Sequence, residues 1–314
     1  MKIVFMGTPD FAATILKAVD EAGHEILAVY TQPDRPRGRS GKPVQSPVKE
    51  YALSKGYKVF QPEKIRKPEE VEILKTFDAD VFVVAAFGQI LSQEILDIPK
   101  MCPINAHGSL LPHLRGASPI QRAIAMGESE TGVTIQRMDA GIDTGDIIDA
   151  VTVPIEDTDD EASMYEKLAA EGAKLTVKVL KALSDNTATF TKQDESLASY
   201  APMLKKEEGL LDLKLSAKEL DARVRGFKEW PTMYTYIDGK LLKVYKTRPV
   251  DEIQADNEKS LEAGDFFVTK KNIYIKTGKG YLELLEVQPE GKKRMPAIDF
   301  ARGAHIVTGT KINS

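Results

Sequence analysis

At 314 residues the chain is about twice the size of a usual single domain, which points to two domains. Its 42% hydrophobic and 29% charged content is that of a soluble globular protein, and no apolar run reaches the roughly 18 residues of a membrane-spanning helix. The net charge of −4 argues against a general nucleic-acid binder, and a single cysteine, Cys102, can form neither an internal disulfide nor a metal cluster by itself.

Met1-Lys2 leads straight into the apolar run Ile3-Val4-Phe5-Met6, without the charged-then-apolar pattern of a signal peptide, so a cytoplasmic location is expected. Lys2 to Met6 reads as a buried strand, and Gly7-Thr8-Pro9-Asp10 as a turn into a helix that Thr8 is placed to cap. Glu25 to Thr31 and Ala79 to Ala86 are two further apolar strands. Pro47 to Ser54 and Ser163 to Leu183 carry helical patterns, the second with Leu168, Leu175, Val179 and Leu183 near a 3.6-residue period. Continuous apolar strands alternating with amphipathic helices predict a doubly wound, mostly parallel α/β sheet, a Rossmann-like domain over residues 1–189.

Polar residues dominate from Asp185 to Lys206, and 190–206 is expected to be a linker. Beyond it, Ser216 followed by Glu219 predicts a capped helix to Gly226. Short strand-like runs then follow at 234–237, 241–245, 266–269, 273–276 and 281–287, with Asp238-Gly239 and Gly278-Lys279-Gly280 as turns. Residues 207–314 are therefore expected to form a small antiparallel β-barrel of the oligonucleotide-binding (OB) type. That part carries 19 basic and 17 acidic residues, so the excess of acidic charge lies before it.

Gly7-Thr8-Pro9-Asp10-Phe11 stands where a dinucleotide-binding fold carries three glycines, but it has one; a nicotinamide dehydrogenase is thereby disfavoured, and no Walker-type loop is present. The segment from Pro103 to Pro119 holds more chemistry. It follows an apolar run, and Asn105 and His107, two residues apart on extended chain, point the same way near the carboxyl end of a strand. Taken alone, the pair also fits a turn cap and a satisfied core histidine. Met138 to Asp146 packs three aspartates and two glycines into nine residues, which suits either a plain turn or a carboxylate set beside His107. The spacing gives a metal site little support, and none is expected. Arg35, Arg37, Arg39 and Lys42 fall within eight residues among Gly and Pro, a composition suited to phosphate contact or to a solvated loop.

Asn105-x-His107, Ser109-Leu110-Leu111-Pro112 with Arg115-Gly116, and Asp143 resemble the signature of the folate-dependent formyltransferases. Gly7 to Ala12, Thr31 to Pro36 with the basic loop, Pro119 to Arg122, Glu130 to Thr134, Trp230-Pro231 and Gly291 to Lys293 resemble the branch that acts on methionyl-tRNA. The resemblance covers essentially the whole chain. It implies 10-formyltetrahydrofolate as co-substrate and methionyl initiator tRNA as acceptor. It further implies Asn105 and His107 on the formyl oxygen, with Asp143 orienting His107 and relaying a proton. Phe87, Gly88, Gln89, Ile90, Ser109, Leu110, Leu111 and Pro112 would wall the folate site, and Arg35, Arg37, Arg39 and Lys42 would meet the tRNA, Arg39 matching the key arginine of the family's inserted loop. His113-Leu114 departs from the Arg-Trp often found in relatives. No membrane partner and a monomer are expected. The rivals are a formyltransferase for a small-molecule amine, a formyl-folate hydrolase, and a non-catalytic tRNA-binding protein.

Overall fold

The computed structural model describes residues 1–36, 43–253 and 261–312. The chain divides into two compact units. Residues 1–119, 130–154 and 163–201 form the first, and residues 120–129, 155–162 and 202–314 the second.

Through residue 107 the elements are β1 (Lys2–Gly7), α1 (Asp10–Glu21), β2 (Glu25–Tyr30), β3 (Arg35–Pro36), β4 (Pro43–Val44), α2 (Pro47–Ser54), β5 (Val59–Phe60), α3 (Pro68–Lys75), β6 (Val81–Ala85), α4 (Gln93–Leu96) and β7 (Cys102–His107). Then come α5 (Pro119–Ala125), β8 (Glu130–Arg137), β9 (Ile147–Pro154) and α6 (Glu161–Ser184). The first unit is built on a sheet of order β5-β2-β1-β6-β7-β8-β9. It is parallel from β5 to β7, with β8 and β9 added antiparallel at one edge. Ile3 to Met6 and Val81 to Ala85 are buried throughout, which explains why these strands read as unbroken apolar runs. Helix α1 turns Phe11, Ala12, Ile15, Leu16 and Val19 inward, one apolar stripe of a 3.6-residue period.

From β1 the chain winds outward through β2 to β5, then returns to the other side at β6 and β7. Strand order thus reverses between β1 and β6, where such sheets open a crevice at their carboxyl ends. Gly7 belongs to this point because an added Cβ would lie 2.6 Å from Ala12 Cβ and 2.8 Å from the Ala85 carbonyl. Thr8 does not cap α1 as expected. Pro9 holds the N-cap position without a side-chain bond, and Thr8 Oγ1 instead donates to the Phe87 carbonyl at 3.2 Å, tying β1 to the segment after β6.

The stretch expected to be a linker is not a free connector. Thr191 exchanges backbone hydrogen bonds with Ile147, and Ser199 and Ala201 pair with Arg115, all within the first unit. Two of its polar side chains, Gln193 and Glu195, accept from Arg115 as well. The second unit continues with α7 (Ala217–Gly226), β10 (Met233–Ile237), β11 (Lys240–Val250), β12 (Phe266–Val268), β13 (Ile273–Lys276), β14 (Tyr281–Pro289), β15 (Met295–Pro296) and α8 (Ala297–Gly303). Its antiparallel sheet runs β10-β11-β14-β13-β12, with β15 on β14, the arrangement expected of the small OB-like domain. Leu220, Val224 and Phe227 pack with Val244, Ile275, Leu282 and Val287 in one core. Ser216 caps α7 in a reciprocal box, accepting from Glu219 N while Glu219 accepts from Ser216 N, as its sequence predicts.

Candidate active site

Asn105 and His107 lie on the last half of β7, one strand beyond β6 at the carboxyl edge of the parallel sheet. His107 is 6% exposed. Its Nε2 faces the Leu114 carbonyl at 3.0 Å, and since a carbonyl only accepts, Nε2 carries the hydrogen. Nδ1 lies 3.6 Å from Asp143 Oδ2, an ion-pair distance for a protonated ring but too long for a hydrogen bond. Leu114 presents that carbonyl from a left-handed backbone, φ 57°.

Each aspartate of the 138–146 loop has its own task. Asp139 Oδ1 accepts from Gly141 N at 3.0 Å and from Thr144 Oγ1 at 2.7 Å, which closes the loop on itself. Asp146 pairs with Arg137. Asp143 alone reaches the end of β7. Its Oδ1 accepts from Gln136 Nε2 at 2.8 Å and Asn105 Nδ2 at 3.3 Å, and its Oδ2 from Gly116 N at 2.9 Å. Asp143 sits at φ 55°, a conformation costing a non-glycine residue on the order of 1–3 kcal/mol, which its surroundings must offset. Gln136 stands directly opposite Asn105 in the β7–β8 register and so shares its face.

Arg115, next to Leu114 and Gly116 in the chain, is wholly buried. Its Nε and Nη2 donate to Gln193 Oε1 at 3.0 and 2.8 Å, and Nη1 and Nη2 donate to Glu195 at 2.9 and 2.7 Å. The guanidinium beside it holds the Glu195 carboxyl below its ordinary value. Neither Gln136 nor Gln193 stands out in the sequence, because a lone glutamine in a strand or a polar stretch carries no local pattern.

The residues expected to wall the folate site fall into two segments, after β6 and after β7, on neighbouring strands of one edge. Phe87 is buried, and its carbonyl accepts from Gln32 Nε2 at 3.0 Å. Gln89 bonds the Ile65 amide and the Pro62 carbonyl, while Ile90 is 63% exposed. Gly88, Gln89 and Ile90 line a cleft of about 650 Å³ with Gln32, Arg35, Glu63 and the cations Lys64, Arg66 and Lys67. Ser109, Leu110, Leu111 and Pro112 do not line that cleft. Ser109 is buried and donates to the His113 carbonyl at 2.5 Å, and Leu111 is buried, so this segment offers its backbone and the half-buried Leu110 and Pro112. Arg35 is exposed on β3, paired with Val44 of β4; Arg37, Arg39 and Lys42 lie outside the described residues.

Among the described residues no group of three or more His, Cys, Asp or Glu is set to hold a metal ion, and no helix is long and apolar enough to cross a membrane. Burial pushes the Cys102 thiol up to about 11, so it supplies little thiolate at neutral pH.

Asn105, His107 and Asp143 thus meet at the carboxyl end of strand β7, in a doubly wound sheet followed along the chain by a small antiparallel domain. The chain belongs to the formyl transferase family: the family's model matches residues 1–180, and the model of its C-terminal domain matches residues 203–305. It is 47% identical over 312 residues to the methionyl-tRNA formyltransferase of Agathobacter rectalis and 46% identical over 313 residues to that of Lachnospira eligens, each match covering 99% of both chains. Among solved structures it resembles the sugar 3N-formyl transferase WlaRD, with a TM-score of 0.68 at 21% identity over 93% of this chain and 99% of that one. It also resembles HypX of Aquifex aeolicus, with a TM-score of 0.63 at 17% identity over 96% of this chain and 47% of that one. The two structures share its fold.

Proposed function

We propose that this chain transfers the formyl group of 10-formyltetrahydrofolate to the α-amino group of methionyl initiator tRNA. The observation that carries the reading is the Asp143 carboxylate drawn against Asn105 and His107 at the end of β7, in a chain 47% identical along its length to a methionyl-tRNA formyltransferase. The amine nitrogen attacks the formyl carbon, the carbonyl oxygen gains charge, and the bond from carbon to N10 of the folate then breaks. The amine gives up a proton and N10 gains one, so no covalent enzyme intermediate is needed.

The geometry divides the tasks. An amide carries two N–H donors. Asn105 shares one with Asp143 and has the other for the developing oxyanion, a contact of the kind worth roughly 10²–10³ in rate. Asp143, which faces both Asn105 and His107 Nδ1, is read as the base that takes the amine's proton, with His107 held in place through Nε2 by the Leu114 carbonyl. Phe87 to Ile90 and Ser109 to Pro112 flank this point from neighbouring strands and are read as the folate walls. A cytoplasmic location is read from an acceptor used in translation.

Arg35, Arg37, Arg39 and Lys42 are read as tRNA contacts. Replacing all four by Gln is expected to raise KM for methionyl-tRNA by tenfold or so and to flatten its salt dependence, leaving KM for the folate unchanged. Steady-state kinetics at several salt concentrations check this. Unchanged tRNA kinetics, with efficient transfer to a small amine, would favour the small-molecule reading.

A further inference from the structure

We propose that Gln193 is a positioning residue for the transfer reaction, setting the place of Asp143 from outside the reacting groups. The proposal rests on reading Asn105, His107 and Asp143 as the transfer site.

Gln193 Nε2 donates to two carbonyls of the catalytic loop, those of Asp143 at 2.8 Å and Gly145 at 2.7 Å. Its Oε1 accepts twice from the buried Arg115. The amide can stand only one way round, because turning it over would set oxygen against two carbonyls and NH2 against a guanidinium. The loop it holds carries Asp143 in the left-handed region, at φ 55°. Two backbone carbonyls, one on either side of Thr144, are thus pinned to a buried cation by one side chain.

The same strap reaches the other flank of the site. Ser199 Oγ accepts from Leu114 N at 2.9 Å, the Ser199 carbonyl accepts from Arg115 N at 2.9 Å, and Ala201 N donates to the Arg115 carbonyl at 2.7 Å. Leu114 is the residue whose carbonyl holds His107 Nε2, and Gly116 is the residue whose amide holds Asp143 Oδ2. Residues 193–201 therefore fix both the ring and the carboxylate that faces it. The polar stretch that resembles a linker is the part of the fold that sets the distance between them.

Gln193→Glu isolates this role. The new carboxylate keeps an acceptor toward Arg115 but has no N–H to give to the Asp143 and Gly145 carbonyls. The expected result is a fall in kcat of about 10–100-fold, because a displacement near 1 Å costs rate on that scale. KM for 10-formyltetrahydrofolate and for methionyl-tRNA should stay within about twofold, and thermal unfolding should stay close to the parent's. Should that variant fail to fold, Gln193→Met removes the same two donations without adding charge; it also removes the Oε1 acceptor of Arg115, so the same fall in kcat is expected together with a lower unfolding temperature. An unchanged kcat in the folded variant, or a loss confined to KM, overturns the proposal. Asp143→Asn measured in parallel separates the two readings. If it loses turnover while the Gln193 variant does not, positioning by Gln193 is wrong and the site stands; if neither loses turnover, the site itself is misassigned.

Discussion

Asp143→Asn is expected to lower turnover by about two orders of magnitude or more with the fold intact. Every partner of this carboxylate is a donor or stands ready to be one: Gln136 and Asn105 on Oδ1, Gly116 on Oδ2, His107 Nδ1 nearby. An asparagine has one oxygen to offer. Whichever way it turns, its NH2 faces N–H groups, either those of Gln136 and Asn105 or that of Gly116. The side chain then swings away from one flank, and the ring loses the negative charge that faces its Nδ1. Kinetics of formyl transfer, with circular dichroism as the check on folding, measure the effect. Turnover near that of the parent would contradict it.

Gly145→Ala should be nearly as damaging, although this residue touches no reacting group. A Cβ there would lie 1.7 Å from the Arg137 carbonyl oxygen and 3.4 Å from Asp139 N, so the backbone itself must move. Arg137 belongs to β8, next to β7, and cannot yield without disturbing the register that sets Gln136 opposite Asn105. The movement falls on the 143–145 loop and on the Gln193 bond to the Gly145 carbonyl. A cost of about 1–3 kcal/mol in stability is expected, together with a tenfold or larger loss of kcat. Chemical denaturation and steady-state kinetics read the two effects separately. A variant as stable and as active as the parent would show that the loop tolerates the displacement.

Local chemistry made much of the fold legible. Pro47 to Ser54 is a helix because Ser46 caps it and Pro47 opens it, and Ser216 with Glu219 starts α7 for a reason written within four residues. The missed features depend on distant partners. Thr8 is a good N-cap by type, but its hydroxyl finds the Phe87 carbonyl 79 residues away. Gln193 is a polar residue in a polar stretch until Arg115, 78 residues earlier, is packed against it. Among the three aspartates of one loop, composition cannot pick Asp143. In the structure Asp139 and Asp146 have local partners, and Asp143 faces β7. The resemblance to a family names Asp143 from a motif.

Formyl transfer itself provides the most direct test of the proposed reaction. The enzyme, given 10-formyltetrahydrofolate carrying a labelled formyl group, is offered methionyl initiator tRNA and methionyl elongator tRNA in separate reactions, and the tRNA-bound amino acid is released and identified. Labelled N-formylmethionine from the initiator tRNA, with far less from the elongator, is the result expected. Labelled formate released at the same rate with or without tRNA, or label passed only to a small amine, would contradict the assignment.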